Sequence, residues 1–131
     1  MPKFSKISEQ RLRTCDKKLQ NLFNFVINYY DCVIICGTRD MIEQNKAFDE
    51  GNSKLRWPNS KHNKLPSLAV DVAPCINGRI SWDPRLYPYF AGLVKGIAIC
   101  LGIDIIWGGN WNDDEDITDN KFNDLVHFEL K

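Results

Sequence analysis

The segment LAVDVAP, residues 68–74, sets the terms for the whole chain. A run this apolar, bounded by polar and proline-containing stretches, predicts a buried strand. In an extended strand Leu68, Val70 and Val72 share one face, while Ala69, Asp71 and Ala73 share the other. Asp71 therefore stands between alanines, where an ionised carboxylate is costly unless a cation or hydrogen-bond donors lie against it. Any fold of this chain has to bring such a partner to the middle of that strand.

The surrounding pattern mixes helices and short strands. From Ser8, residues Leu12, Cys15, Leu19, Leu22, Phe23 and Val26 recur at helical spacing and predict one long amphipathic N-terminal helix. DCVIICGTR is a short strand ending at Gly37, and DMIEQNKAFDEG is a helix capped by Asp40 and stopped at Gly51. Residues 52–67 are a polar loop. CINGRISW predicts a hairpin turning on Asn77-Gly78. Asp83-Pro84 opens a further helix reaching Gly102, with Leu93, Ile97 and Leu101 along it. IDIIWGGNW and LVHFEL are the last two strands, separated by an acidic loop. Strict β-α alternation is absent, which disfavours a doubly wound parallel sheet. The prediction is an α+β domain, a small antiparallel sheet flanked by two or three helices.

Several function classes recede at once. The 17 basic and 17 acidic residues of the 131 cancel, so no global field favours nucleic acid or an anionic membrane. No segment is apolar and long enough to span a bilayer, and the N-terminal residues lack the apolar core of a secretory signal. Five cysteines without a CxxC pair read as reduced, mostly buried small apolar residues.

Two histidines complete the inventory. His62 lies in the loop before the Asp71 strand, and His127 lies in the final strand. A hydrolytic zinc site needs three protein ligands and one open position, commonly imidazoles with a carboxylate. His62, Asp71 and His127 supply that set. Each residue also has a plainer role by itself: a solvated loop histidine, an aspartate paired with lysine, a satisfied core histidine. Spacing does not decide between these readings.

Four segments taken in order carry more: CGTRDMIEQNKAFDEG, SKHNKLPSLAVDVAP, WGGNW and DLVHFEL. Across Ile35 to Leu130, roughly three quarters of the chain, the sequence resembles the zinc peptidases that cut bacterial peptidoglycan stems. That group includes D-Ala-D-Ala dipeptidases and carboxypeptidases and the phage L-alanyl-D-glutamate endolysins. The resemblance implies their fold, shared with hedgehog-type domains, and a Zn2+ ion held by His62, Asp71 and His127. It puts the family's Ser-x-His on Ser60 and His62, its Ala-x-Asp on Ala69 and Asp71, and its arginine on Arg39 with Gln44 following. The catalytic carboxylate three residues before the last histidine falls on Asp124. One departure stands out: His62 and Asp71 are two residues farther apart than the family usually has them, and KLPS replaces a glycine. A surface loop absorbs such an insertion readily.

The base remains contested at this level. Strand alternation puts Glu129 on the face of His127 and Asp124 on the opposite face, unless the chain turns just before Leu125. The resemblance chooses Asp124 and leaves Glu129 as a salt-bridge partner or a support for a ligand. Arg39 is expected to face the oxyanion or a substrate carboxylate. Ser60 either hydrogen-bonds near the metal or caps a turn, and Gln44 matters if its helix faces the cleft. Trp107 and Trp111 are either core or pocket wall. Asp113, Asp114, Glu115, Asp116 and Asp119 form either a solvated loop or a Ca2+ site, although the EF-hand pattern is not met.

The resulting expectation is a single catalytic domain over residues 1–131, without a wall-binding module, acting on peptidoglycan stem peptides as an L-Ala-D-Glu endopeptidase. It is expected to be monomeric, to bind neither nucleic acid nor membrane, and to collect in the host bacterial cytoplasm before reaching the wall. The alternatives are a D,D- or L,D-carboxypeptidase on the same site, an inactive zinc-binding interaction domain, and a thiol hydrolase using Cys36 or Cys75.

Overall fold

In the computed structural model, which describes residues 2–131, the LAVDVAP segment lies inside a sheet and is paired on both edges. Strand β1 is Cys32–Cys36, β2 is Ala69–Ile76, β3 is Arg79–Ile80, β4 is Ile105–Trp107 and β5 is His127–Leu130. The order is β1-β2-β5-β4 with every pairing antiparallel, and β3 folds back on the end of β2. The β2–β3 turn uses Asn77 at φ 52° and Gly78 at φ 76°, the double positive φ of a tight hairpin.

Helices α1 (Lys6–Arg13), α2 (Lys17–Val26), α3 (Met41–Asp49) and α4 (Leu86–Leu101) surround the sheet. The architecture is the α+β arrangement predicted, with one helix more than expected at the N-terminus. The long helix is two helices. Its apolar stripe is right, since Leu12, Cys15, Leu19, Leu22, Phe23 and Val26 are all buried. The break comes from tertiary pairing: the Asp16 amide donates to the Ser67 carbonyl and the Ser67 amide to that of Thr14, each at 2.8 Å. Asp16 then caps α2 by accepting from the Lys18 amide.

Helix α3 starts on Asp40 with a reciprocal capping box to Glu43, and Gly51 past its end has φ 77°. Helix α4 begins at Leu86, later than Asp83-Pro84 suggested, because the Asp83 carboxylate caps the preceding turn at the Arg85 amide. Its buried stripe is Phe90, Ala91, Val94 and Ala98. Leu93 and Ile97 are half-buried, and Leu101 is exposed.

The two faces of β2 divide the molecule. Val70 and Val72 enter the core with Phe128 of β5, which packs edge-on against Phe23 at 5.5 Å and Phe90 at 6.1 Å. Asp71 faces away from that core. Register pairs it with His127 on β5 and Cys36 on β1, beside an irregularity between Ile34 and Cys36. The final strand is shorter than predicted, because Leu125 and Val126 form a turn ahead of it.

Candidate active site

Asp71, His62 and His127 converge. Asp71 Oδ1 lies 3.2 Å from His62 Nε2 and 3.4 Å from His127 Nδ1, and the two ring nitrogens are 3.2 Å apart. All three side chains are buried. Tetrahedral coordination at the usual zinc–ligand lengths of 2.0–2.1 Å separates neighbouring donors by about 3.4 Å. The triangle has the dimensions of one face of such a site.

The surroundings dictate which nitrogens are free. His62 Nδ1 lies 2.7 Å from the Gly37 carbonyl oxygen, and His127 Nε2 lies 2.8 Å from Glu129 Oε1. Both acceptors require an N–H, which leaves His62 Nε2 and His127 Nδ1 as bare lone pairs in the neutral rings. Two lone pairs and a carboxylate oxygen then face one point, an arrangement that demands a cation. Protons meet the demand when no metal does. Burial opposes charge on His62, but Asp71 outweighs it and holds the imidazole up at about 10; His127 is raised by the same contest. Burial likewise disfavours the Asp71 anion, yet the two histidines hold that carboxyl far below its ordinary range.

Local structure explains the positions. His62 sits on a short 3-10 turn, Lys61–Asn63, whose first amide groups are capped by Ser60, so Ser60 takes the turn-capping role. The Gly37 carbonyl can reach His62 because Gly37 passes against α1. A Cβ there would lie 2.2 Å from Thr14 Oγ1 and 2.3 Å from the Arg11 carbonyl oxygen. Arg39 reaches across to Asp71 Oδ2 at 2.8 Å and to Gln44 Oε1 at 3.3 Å. Gln44 is fully buried and holds the loop as well, donating to Ser53 Oγ and the Leu55 carbonyl.

Asp124 joins the cluster by the turn. The His127 amide returns to the Asp124 carbonyl at 3.1 Å, placing the Asp124 carboxylate 3.9 Å from His127 Nδ1. Asp71, Asp124 and His127 thus form a group of close donors, and Cys36 forms a second with His62 and Asp71. Burial and the Asp71 charge raise the Asp124 carboxyl above its ordinary value. Glu129 takes the other side of the imidazole and is itself bound by Lys61 at 2.9 Å. The WGGNW segment sets this turn: Gly108 exchanges hydrogen bonds with Asp124 and His127, and Trp107 Nε1 donates to the Leu125 carbonyl. Trp111 lies against the His127 ring at 5.2 Å and stacks on Phe122, so it walls the site, whereas Trp107 packs against the core.

Arg39, His62, Trp111, Asp124, His127 and Glu129 line a cleft of 430 Å³, whose wall also includes Lys54 and Leu55. Sequence reasoning passed over Lys54, Phe122 and the Gly37 carbonyl, and weighed Cys36 only as a thiol nucleophile, not as a neighbour of His62 and Asp71. The proximity of Cys36 to Asp71 follows only from strand register, and the others had no signal. The acidic loop does not gather its carboxylates. Asp113 pairs with Lys95 and Lys131, Asp114 and Asp116 accept from nearby backbone amides, and Asp119 accepts from Asn112. Among the described residues, neither group of three close metal-ligand atoms includes this loop, and nothing here supports Ca2+.

A family model described as phage L-alanyl-D-glutamate peptidase matches residues 1–131. The L-alanyl-D-glutamate peptidase of Escherichia phage T5 is 32% identical over 120 residues, covering 89% of this chain and 87% of that protein. The crystal structure of the Serratia marcescens L-Ala D-Glu endopeptidase ChiX aligns with a TM-score of 0.76 at 28% identity, covering 98% of this chain and 89% of that one. The vancomycin resistance D,D-pentapeptidase VanY, solved in complex with Zn(II), shares the fold at a TM-score of 0.54 and 17% identity, covering 86% of this chain and 68% of that one.

Proposed function

The chain belongs to the phage L-alanyl-D-glutamate peptidase family, and from that premise we propose that it is a zinc-dependent peptidase hydrolysing the L-Ala–D-Glu amide of the peptidoglycan stem. The observation that carries the zinc assignment is the triangle of donor atoms, 3.2, 3.2 and 3.4 Å on its edges, with both imidazoles turned lone pair inward. His62, Asp71 and His127 would hold the ion. When bound, zinc supplies a Lewis acid and a water acidified to a pKa of about 7.

The remaining chemistry belongs to the chain. Asp124 takes the proton of the attacking water at its carboxylate and delivers it to the leaving amine nitrogen, a task suited to a carboxyl group whose pKa is raised. Arg39 spends one N–H on Asp71 and one on Gln44. Its remaining donors face the carbonyl oxygen as that atom gains charge. Glu129 and the Gly37 carbonyl keep the two imidazoles in the ligating tautomer. Trp111 screens the His127 side of the cleft from water.

On this reading residues 1–131 are one catalytic domain acting as a monomer on stem peptides. Among the described residues no helix is long and apolar enough to cross a membrane; on the same reading the enzyme accumulates in the host cytoplasm before it meets the wall. Digestion of purified sacculi followed by mass spectrometry tests the bond. Released peptides beginning with D-Glu are expected; loss of terminal D-Ala alone would replace the endopeptidase with a carboxypeptidase on the same site.

A further inference from the structure

The cleft is lined by three cationic side chains, Arg39, Lys54 and Lys61. Two of them are spent. Arg39 is bound to Asp71 at 2.8 Å, and Lys61 is bound to Glu129 at 2.9 Å and to the Leu130 carbonyl. Lys54 alone makes no salt bridge among the described residues; its Nζ instead sits 4.9 Å above the Phe122 ring. The same cleft presents Asp124 and Glu129, so an anionic substrate entering it meets negative charge and needs a positive group to offset it.

The position of Lys54 is fixed more firmly than its loop setting suggests. Its neighbours Ser53 and Leu55 are both held by the buried Gln44 side chain, at 3.0 and 2.7 Å. The other end of that same amide accepts from Arg39 and from Asn63. One side chain thus ties the lip carrying Lys54 to the arginine on the metal ligand. On the far side Phe122 stacks on Trp111 at an interplanar angle of 13°, and Trp111 lies against His127. Lys54 Nζ stands two aromatic rings from the ligand imidazole.

We infer that Lys54 is a specificity-determining residue that binds a free carboxylate on the residue following the scissile amide. The inference rests on the L-Ala–D-Glu reading above. A glutamyl residue has two carboxyl groups, and the chain continues through one of them; the other remains free and anionic, a few bonds from the amide that is cut. An ammonium on a flexible stem, seated on an aromatic face, can reach such a group without giving up its ring contact.

The test compares two synthetic stem peptides containing L-Ala–D-Glu, one with that free carboxylate and one with a primary carboxamide in its place. The zinc-loaded wild type is expected to prefer the carboxylate peptide by about tenfold in kcat/KM, mainly through KM. Lys54→Met is expected to bring the ratio close to one, and Lys54→Arg to keep most of it. An unchanged ratio in Lys54→Met, including one in which both rates fall together, overturns the inference while leaving the endopeptidase reading intact. A wild type that cleaves neither peptide, yet removes D-Ala from sacculi, overturns both.

Discussion

Asp124 and Glu129 bracket the His127 imidazole from opposite nitrogens, Asp124 3.9 Å from Nδ1 and Glu129 2.8 Å from Nε2. Nδ1 points to Asp71 and His62, and Nε2 points away from them. On the proposed function the two carboxylates have different work: Asp124 lies beside the point where the three donors meet, and Glu129 lies behind a proposed ligand.

That division predicts separable defects. Asp124→Asn should lower kcat by about 10²–10⁴-fold with zinc still bound stoichiometrically. Glu129→Gln should weaken zinc binding by about 10–100-fold, with activity recovered at high zinc. Metal titration and peptide hydrolysis on both variants check this, and the opposite pattern would move the base to Glu129.

Gly108 connects the WGGNW segment to Asp124. A Cβ at Gly108 would sit 2.1 Å from the Asp124 carbonyl oxygen, far inside contact distance and against backbone. Gly108→Ala should cost about 1–3 kcal/mol in urea denaturation, since the turn has to move. Its kcat should fall further than that stability loss accounts for, because the displaced turn carries the base. A variant stable as wild type and fully active would remove the argument.

The sequence was legible where one local rule governs. The alternation in LAVDVAP placed Asp71 opposite the core, and the Asp40 and Asn77-Gly78 signals located a helix start and a hairpin correctly. It was ambiguous at Asp124, where a strand pattern running through Leu125 hid the turn that decides its position. It was silent where distant backbone intervenes. The break after Arg13 is made by pairing with Ser67, and within residues 8–26 only the N-cap residue Asp16 hints at it. Gln44 is marked only by the resemblance, and its burial against Arg39 and Leu55 is a tertiary fact that helical spacing does not show. Lys54 becomes distinctive only once the other two cations of the cleft are known to be paired.

Cysteine chemistry tests the thiol rival. Cys36 approaches His62 in space, although no histidine is near it in sequence. That histidine's nitrogens are engaged by the Gly37 carbonyl on one side and turned toward Asp71 and His127 on the other. Cys36→Ser should therefore retain activity within about threefold, where loss of a nucleophile costs several orders of magnitude. Alkylation at about pH 8 should reach the exposed Cys100 first. Cys15 and Cys75 should stay unmodified until denaturant is added, as burial pushes their thiols up to about 12 and about 11.

Among the described residues, Asp113 is the acidic-loop residue that forms salt bridges to the rest of the domain, and acid should release them. Asp113 bridges Lys95 on α4, at 2.8 Å, and Lys131 at the C-terminus, at 2.6 Å. Burial disfavours its charge, but the two lysines outweigh that and lower its pKa below 3.8. A carboxyl group with a depressed folded-state pKa stabilises above its unfolded value and loses that contribution as pH falls through the folded one. Urea midpoints measured between about pH 5 and pH 2 should thus decline more steeply for wild type than for Asp113→Asn, with the two converging at the acid end. The lysine ends of the ion pairs are open to solvent while Asp113 is half-buried, so the difference near pH 5 should be below about 1 kcal/mol and should shrink in about 1 M salt. Asparagine is the right replacement because residue 113 has φ 53°, a left-handed conformation that asparagine tolerates. If the two acid profiles run parallel, Asp113 does not anchor the loop by its charge.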